Sequence, residues 1–131
     1  MAQIKWDEGP TVGADADHPL HVTSRRLPAA VIVTAVGEVD LATAEHLAVA
    51  VRAAFSGQPG AVVIDLSGVE FLASTGLAVL AEAERTAAET GQLLHVVVGD
   101  RHPVVARSLT TSGLAHHLAL FSELDDALST V

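Results

Sequence analysis

Cysteine is absent from this 131-residue chain, and lysine occurs once, at Lys5. Without cysteine there is no disulfide framework, thiolate zinc site, iron–sulfur cluster or cysteine nucleophile. Such a chain suits a reducing compartment. Aromatic residues make up only 3% of the sequence while hydrophobic residues make up 50%. The core must therefore be built from Ala, Val, Leu and Ile, which requires closely spaced helices and strands. Cationic residues are also scarce, with 7 Lys and Arg against 16 Asp and Glu, for a formal net charge of −9. A field of that sign repels a phosphate backbone, and the only basic doublet is Arg25-Arg26, so direct nucleic-acid binding is not expected. No apolar run reaches the roughly 20 residues that a membrane span needs. The N-terminal stretch is acidic and has no apolar signal core. These absences together predict a cytoplasmic protein with no membrane contact.

Residues 1–18 carry Gly, Pro and Asp with little apolar periodicity, which reads as a poorly ordered acidic tail. Ile4 and Trp6 are its main apolar residues. Residues 19–131 read as one domain. Leu20 to Ser24 alternates as a short strand, with Leu20, Val22 and Ser24 on one side and His21 and Thr23 on the other. Residues 30–36 are apolar on both faces, as in a buried strand that Gly37-Glu-Val-Asp40 ends. From Leu41 the period becomes helical, with Leu41, Ala44, Ala48 and Val51 or Phe55 inward and Glu45 and Arg52 outward. Asp40 is placed to cap this helix.

Ser56 to Gly60 is a breaker cluster. Ala61 to Leu66 reads as a second buried strand, followed by a polar turn and a helix reaching about Thr90, with Gly91 just past its end. Leu93 to Val98 reads as a third buried strand. Pro103 and Gly113 bracket a further helix. Residues 115–121 read as a final strand, and Ser122 as the cap of a last helix carrying Leu124 and Leu128. The order β-β-α-β-α-β-α-β-α implies an α/β domain. Its small mixed sheet, of about five strands, is mostly parallel after the first hairpin and is flanked by helices.

Enzyme signatures are sparse. There is no Gly-Lys pair for a phosphate loop, no G-x-G-x-x-G after a strand, and no first glycine of a nucleophile elbow before Ser74. No spacing pairs His95 or His102 with Ser74. His116-His117, adjacent in a strand, would face opposite sides and share no metal. His18 and His21 lie near the tail. Neither a metal nor a cofactor is expected, and an esterase or small-ligand reading rests only on Ser74 and the histidines. In Asp65-Leu-Ser-Gly-Val-Glu-Phe-Leu-Ala-Ser-Thr-Gly-Leu-Ala-Val-Leu80, two hydroxyl residues stand where a strand gives way to a helix. Ser74 reads as lying at or near the N-cap. Leu77 and Leu80 point inward and anchor the helix. The Asp40 and Ser74 junctions are expected on one rim, at the carboxyl ends of parallel strands.

Gly37-Glu-Val-Asp40, the Val63-Ile-Asp-Leu66 strand, Phe71, Ser74-Thr-Gly-Leu77 and Ser112-Gly-Leu114 together resemble the STAS domain family, in particular its single-domain anti-anti-sigma factors. The resemblance spans roughly residues 20–130. It implies a small mixed sheet flanked by helices, and a partner-switching cycle rather than catalysis. The unmodified domain would bind an anti-sigma factor that is also an ATP-dependent serine kinase, releasing the sigma factor. That kinase would phosphorylate the domain, and a metal-dependent serine phosphatase would reset it. By motif position the acceptor is Ser74, with Thr75 next to it as the alternative. Asp40, Thr75, Gly76 and Leu77 fall on the family's partner surface. The family often has an acidic residue before the acceptor, where this chain has Ala73. That difference leaves open a module that binds its partner constitutively, without phosphorylation.

Overall fold

The computed structural model describes residues 20–131, so the expectations for the tail at residues 1–18 lie outside the described residues. Five strands form one sheet in chain order: β1 (Leu20–Arg26), β2 (Ala30–Val39), β3 (Ala61–Leu72), β4 (Leu93–Val97) and β5 (Ala119–Phe121). β1 is antiparallel to β2, and the remaining pairs are parallel. Between them run α1 (Ala44–Ser56), α2 (Ser74–Thr90) and α3 (Pro103–Thr111), and α4 (Leu124–Ser129) follows β5.

Because each parallel strand adds on the same side of the last, right-handed crossovers place α1, α2 and α3 on one face of the sheet. That face holds the main core. Val31, Val33, Val62 and Ile64 of the strands meet Leu47, Leu80 and Leu109, one leucine from each of the three helices. Each such fully buried leucine contributes about 1.5–3 kcal/mol of transfer free energy. The opposite face is smaller: Ile32, Val63 and Val97 pack with Ala127, Leu124 and Leu128 of α4.

Several sequence expectations hold closely. β1 buries Leu20, Val22 and Ser24 and exposes His21 and Thr23. α2 ends at Thr90, and Gly91 takes the left-handed conformation with φ of 75°. Pro103 opens α3, and Gly113, with φ of 83°, follows it.

Others need correction. β2 and β3 do not stop at residues 36 and 66 but continue as paired strands to Val39 and Leu72. The presumed polar turn after Leu66 is instead a bulge, where the register against β2 shifts between Thr34 and Val36. Asp65 explains it, since its carboxylate accepts from the Ser67 N–H at 3.0 Å and the Ser67 hydroxyl at 2.7 Å. A side chain takes the place of a ladder partner there, and one extra residue fits without an unsatisfied amide. Residues 115–121 are not one strand. Leu114–His116 form a single 3₁₀ turn before β5, so His116 and His117 are not strand residues. The extended residue before α4 is Glu123 rather than Ser122.

Candidate functional site

The continuation of β2 and β3 is what builds the site. β4 pairs with β3 only as far as Asp65–Val97, so the last residues of β2 and β3 stand beyond the rest of the parallel sheet. Val39 lies opposite Leu72, and the Ala73 N–H donates to the Val39 carbonyl at 2.8 Å. Asp40 and Ser74, next in each chain segment, therefore leave the sheet side by side on one rim.

On the β2 side, Asp40 caps the turn at residues 41–43 rather than α1 itself, whose N-cap position is Thr43. Its carboxylate accepts from the N–H groups of Ala42 at 3.0 Å and Thr43 at 3.1 Å. Thr43 is wholly buried. Its hydroxyl accepts from the Asp40 N–H at 2.9 Å and donates to the Glu38 carbonyl at 2.7 Å. Its other oxygen neighbour, Asp40 Oδ1 at 3.1 Å, is farther, so the single hydroxyl proton goes to Glu38. These bonds turn the chain through residues 41–43 before α1 begins at Ala44. Leu41 thus precedes the helix and falls out of its inward stripe. It is 83% exposed, whereas Ala44, Ala48, Val51 and Phe55 are buried as expected. Phe71, paired with Glu38, is also half exposed. Asp40→Ala is expected to cost about 1 kcal/mol, the usual loss for a cap, and Asp40→Asn much less. Urea-denaturation midpoints of the three proteins check this.

On the β3 side, Ser74 stands next to the N-cap, within the expected range. Ala73 is the extended residue before α2 (φ −80°, ψ 176°), and its carbonyl accepts from the N–H groups of Gly76 and Leu77. Ser74 is the first helical residue, because Ala73 is still held to β2. The Ser74 side chain is exposed. Thr75 is turned the other way, its hydroxyl buried without a hydrogen-bond partner. Of these two neighbouring hydroxyls, only that of Ser74 is open to solvent. The first turn of α2 carries no acidic residue, and its leading N–H groups have no acceptor within the helix.

Gly76 is buried, and a Cβ there would lie 2.5 Å from Leu72 Cδ1 and 2.7 Å from Val39 Cγ1. Its place at the site is thus indirect: it seats α2 against the ends of β2 and β3. Leu77 is half-buried against the core, and Leu80 is wholly buried.

The histidines form no constellation with Ser74. His95 is buried, its Nδ1 2.9 Å from the Ala127 carbonyl and its ring tilted 38° against that of Phe121 at a centroid distance of 4.7 Å. Among the described residues no three His, Asp or Glu side chains converge as a metal site would require. No described helix is long and apolar enough to cross a membrane. A cleft of about 650 Å³ lies between α1 and α2, and no residue of the rim lines it. At its mouth Arg52 bridges Glu82 and Glu45, which raise its pKa above the ordinary arginine value.

Sequence reasoning misplaces one residue: Leu41 reads as core, although Thr43 could have moved the helix start past it.

This α/β fold has known counterparts. Residues 22–124 match the family model described as Mlab, STAS domain, and the chain belongs to the STAS domain family. It is 43% identical to the anti-sigma-F factor antagonist RsfB of Mycobacterium tuberculosis over 95 residues, which are 72% of this chain and 75% of that protein. It matches the crystal structure of an anti-sigma factor antagonist from Mycobacterium paratuberculosis with a TM-score of 0.78 and 34% identity, covering 86% of this chain and 93% of that one. The phosphorylated form of SpoIIAA from Bacillus shares the fold, with a TM-score of 0.61 at 16% identity over 83% of this chain and 97% of that one.

Proposed function

We propose that this domain is an anti-sigma factor antagonist. Its rim docks on an anti-sigma factor that is also a serine kinase, displacing the sigma factor, and phosphorylation of Ser74 ends the contact. The observation that carries this reading is the exposed Ser74 hydroxyl at the first residue of α2, beside Asp40 and Leu41, with the neighbouring Thr75 hydroxyl sealed inside. In the phosphoryl transfer, Ser74 Oγ bonds to the γ-phosphorus of ATP as the bond to the β–γ bridging oxygen breaks. ADP leaves, and the hydroxyl proton passes to a base on the kinase. The domain supplies only the nucleophile and its presentation. A metal-dependent serine phosphatase returns the hydroxyl.

The rim suits both states. Unmodified, it offers Leu41 and Phe71 as apolar anchors among acidic Asp40, Glu38 and Glu70, which fits a partner of mixed apolar and basic character. Modified, it gains about −1.5 to −2 charges, which the start of α2 accommodates without refolding. The decisive experiment incubates the protein with the cognate anti-sigma kinase and ATP and maps phosphate by mass spectrometry. Phosphate on Ser74, lost in Ser74→Ala, is expected; an unmodified Ser74 with a kinase active on other substrates would remove the switch. Ala73, in place of an acidic residue, favours the second reading, a constitutive interaction module on the same rim. In either reading Leu41→Ala is expected to weaken partner binding at least tenfold, as a central apolar anchor does, with unfolding unchanged. Titration calorimetry beside a melting curve measures both.

A further inference from the structure

Ser74 does not face the acidic part of the rim alone. Between the start of α2 and α3 lies a shallow depression of about 330 Å³, and Ser74 and Arg107 both line it. Its floor is apolar, from Leu72, Leu77 and Val104, and Arg107 is the only charged side chain in its lining. Ser108, Thr111 and Ser112 add hydroxyl groups to its wall. Arg107 is exposed and forms no ion pair with any described residue. Its surroundings are unusual for a chain of net charge −9: residues 101–122 include Arg101, His102, Arg107, His116 and His117 and not one Asp or Glu. Asp40 shares the rim but does not line the depression.

We infer that Arg107 receives the phosphate of phosphorylated Ser74, holding it on the domain's own surface between α2 and α3. This rests on Ser74 as the phosphoryl acceptor and adds a regulatory residue to that reading. A guanidinium offers planar paired N–H donors that match two phosphate oxygens, the strongest class of side-chain contact to such a group. The α2 N-terminus tolerates the anion but leaves its direction open. Arg107 sets the direction, away from Asp40 and into the depression. It favours the dianion over the monoanion, because the second charge interacts with a nearby cation. The modified state is thereby a single defined surface rather than a freely rotating phosphate.

The test does not depend on any kinase. Phosphoserine is installed at position 74 by genetic code expansion in the full chain, and its second ionisation is followed by phosphorus NMR between pH 4 and 8. The native Arg107 background is expected to titrate roughly half a unit or more below Arg107→Gln, with Arg107→Lys between them and the gap narrowing as salt is added. Any field from α2 is common to all three proteins, so the difference reads Arg107 alone. Superimposable curves for native, Gln and Lys proteins would overturn the inference. Anti-sigma factor binding by the same phosphoprotein, compared with its unmodified form, tests the acceptor role separately. Retained binding with a shifted titration would sink the switch and leave the Arg107 contact standing.

Discussion

Gly76→Val is expected to destabilise the domain by about 3 kcal/mol, at the upper end of what overpacking a tight core costs. The first turn of α2 sits on two buried side chains. A Cβ at residue 76 would come within 2.5 Å of Leu72 Cδ1 and 2.7 Å of Val39 Cγ1, where separations near 3.5–4.0 Å are normal. Leu72 Cδ1 is the end of a flexible side chain and can turn, although Leu72 is only 2% exposed. Val39 is wholly buried and branched at Cβ, so its rotamer is stiff and has nowhere to go. The helix itself would welcome a side chain: glycine is up to about 1 kcal/mol worse than alanine in a helix interior. Gly76→Ala should therefore lose only about 1 kcal/mol net, and valine, which adds branched bulk without comparable helix preference, the larger amount. Urea denaturation of the three proteins reads both values. A valine variant with the native midpoint would mean that α2 does not seat on β2 and β3 as described. With total stabilities of about 5–15 kcal/mol typical of domains, the expected loss is a large share.

Ser74→Glu is expected to weaken anti-sigma factor binding about a hundredfold, and Ser74→Ala by less than about threefold. A hundredfold change is about 2.7 kcal/mol, within the several kcal/mol that juxtaposed like charge can cost in an interface. Glutamate carries one charge where phosphate carries nearly two, so the phosphorylated protein should bind more weakly still. Salt separates charge from contact. The glutamate penalty should shrink as ionic strength rises, whereas a lost packing contact would not recover. Equal losses in Glu and Ala would make Ser74 an ordinary contact residue and favour the constitutive module. Calorimetry at two salt concentrations, with Tm measured alongside, gives both comparisons.

Much of this was legible because the residues concerned act locally. The alternation of Leu20, Val22 and Ser24 needs only the period of a strand. Gly91 and Gly113 mark helix ends through their own backbone angles, and Pro103 through its missing N–H. The shared rim of Asp40 and Ser74 follows from parallel strands and a repeated order of elements. What escaped depended on tertiary bonds. Ser67-Gly68 looks like a turn because serine and glycine favour turns, yet the Asp65 carboxylate converts it to a bulge and lets β3 run on. Leu41 fits a helical stripe by spacing alone, but the buried Thr43 hydroxyl delays the helix by a turn. Ser74 reads as at or near the cap, and the bond from Ala73 to Val39 fixes it as the first helical residue. The inward turn of Thr75, which singles out Ser74, has no signature in composition or period. Neither does Arg107, which lines the same depression as Ser74 only because α2 and α3 lie on the same face of the sheet.

The antiparallel first hairpin carries a practical corollary. Leu20 lies opposite Gly37, three residues before Asp40, so β1 begins on the docking side of the domain. Val131 follows α4, which turns back from that side. A bulky reporter or purification handle joined directly ahead of Leu20 would crowd the rim, while one appended after Val131 would leave it accessible.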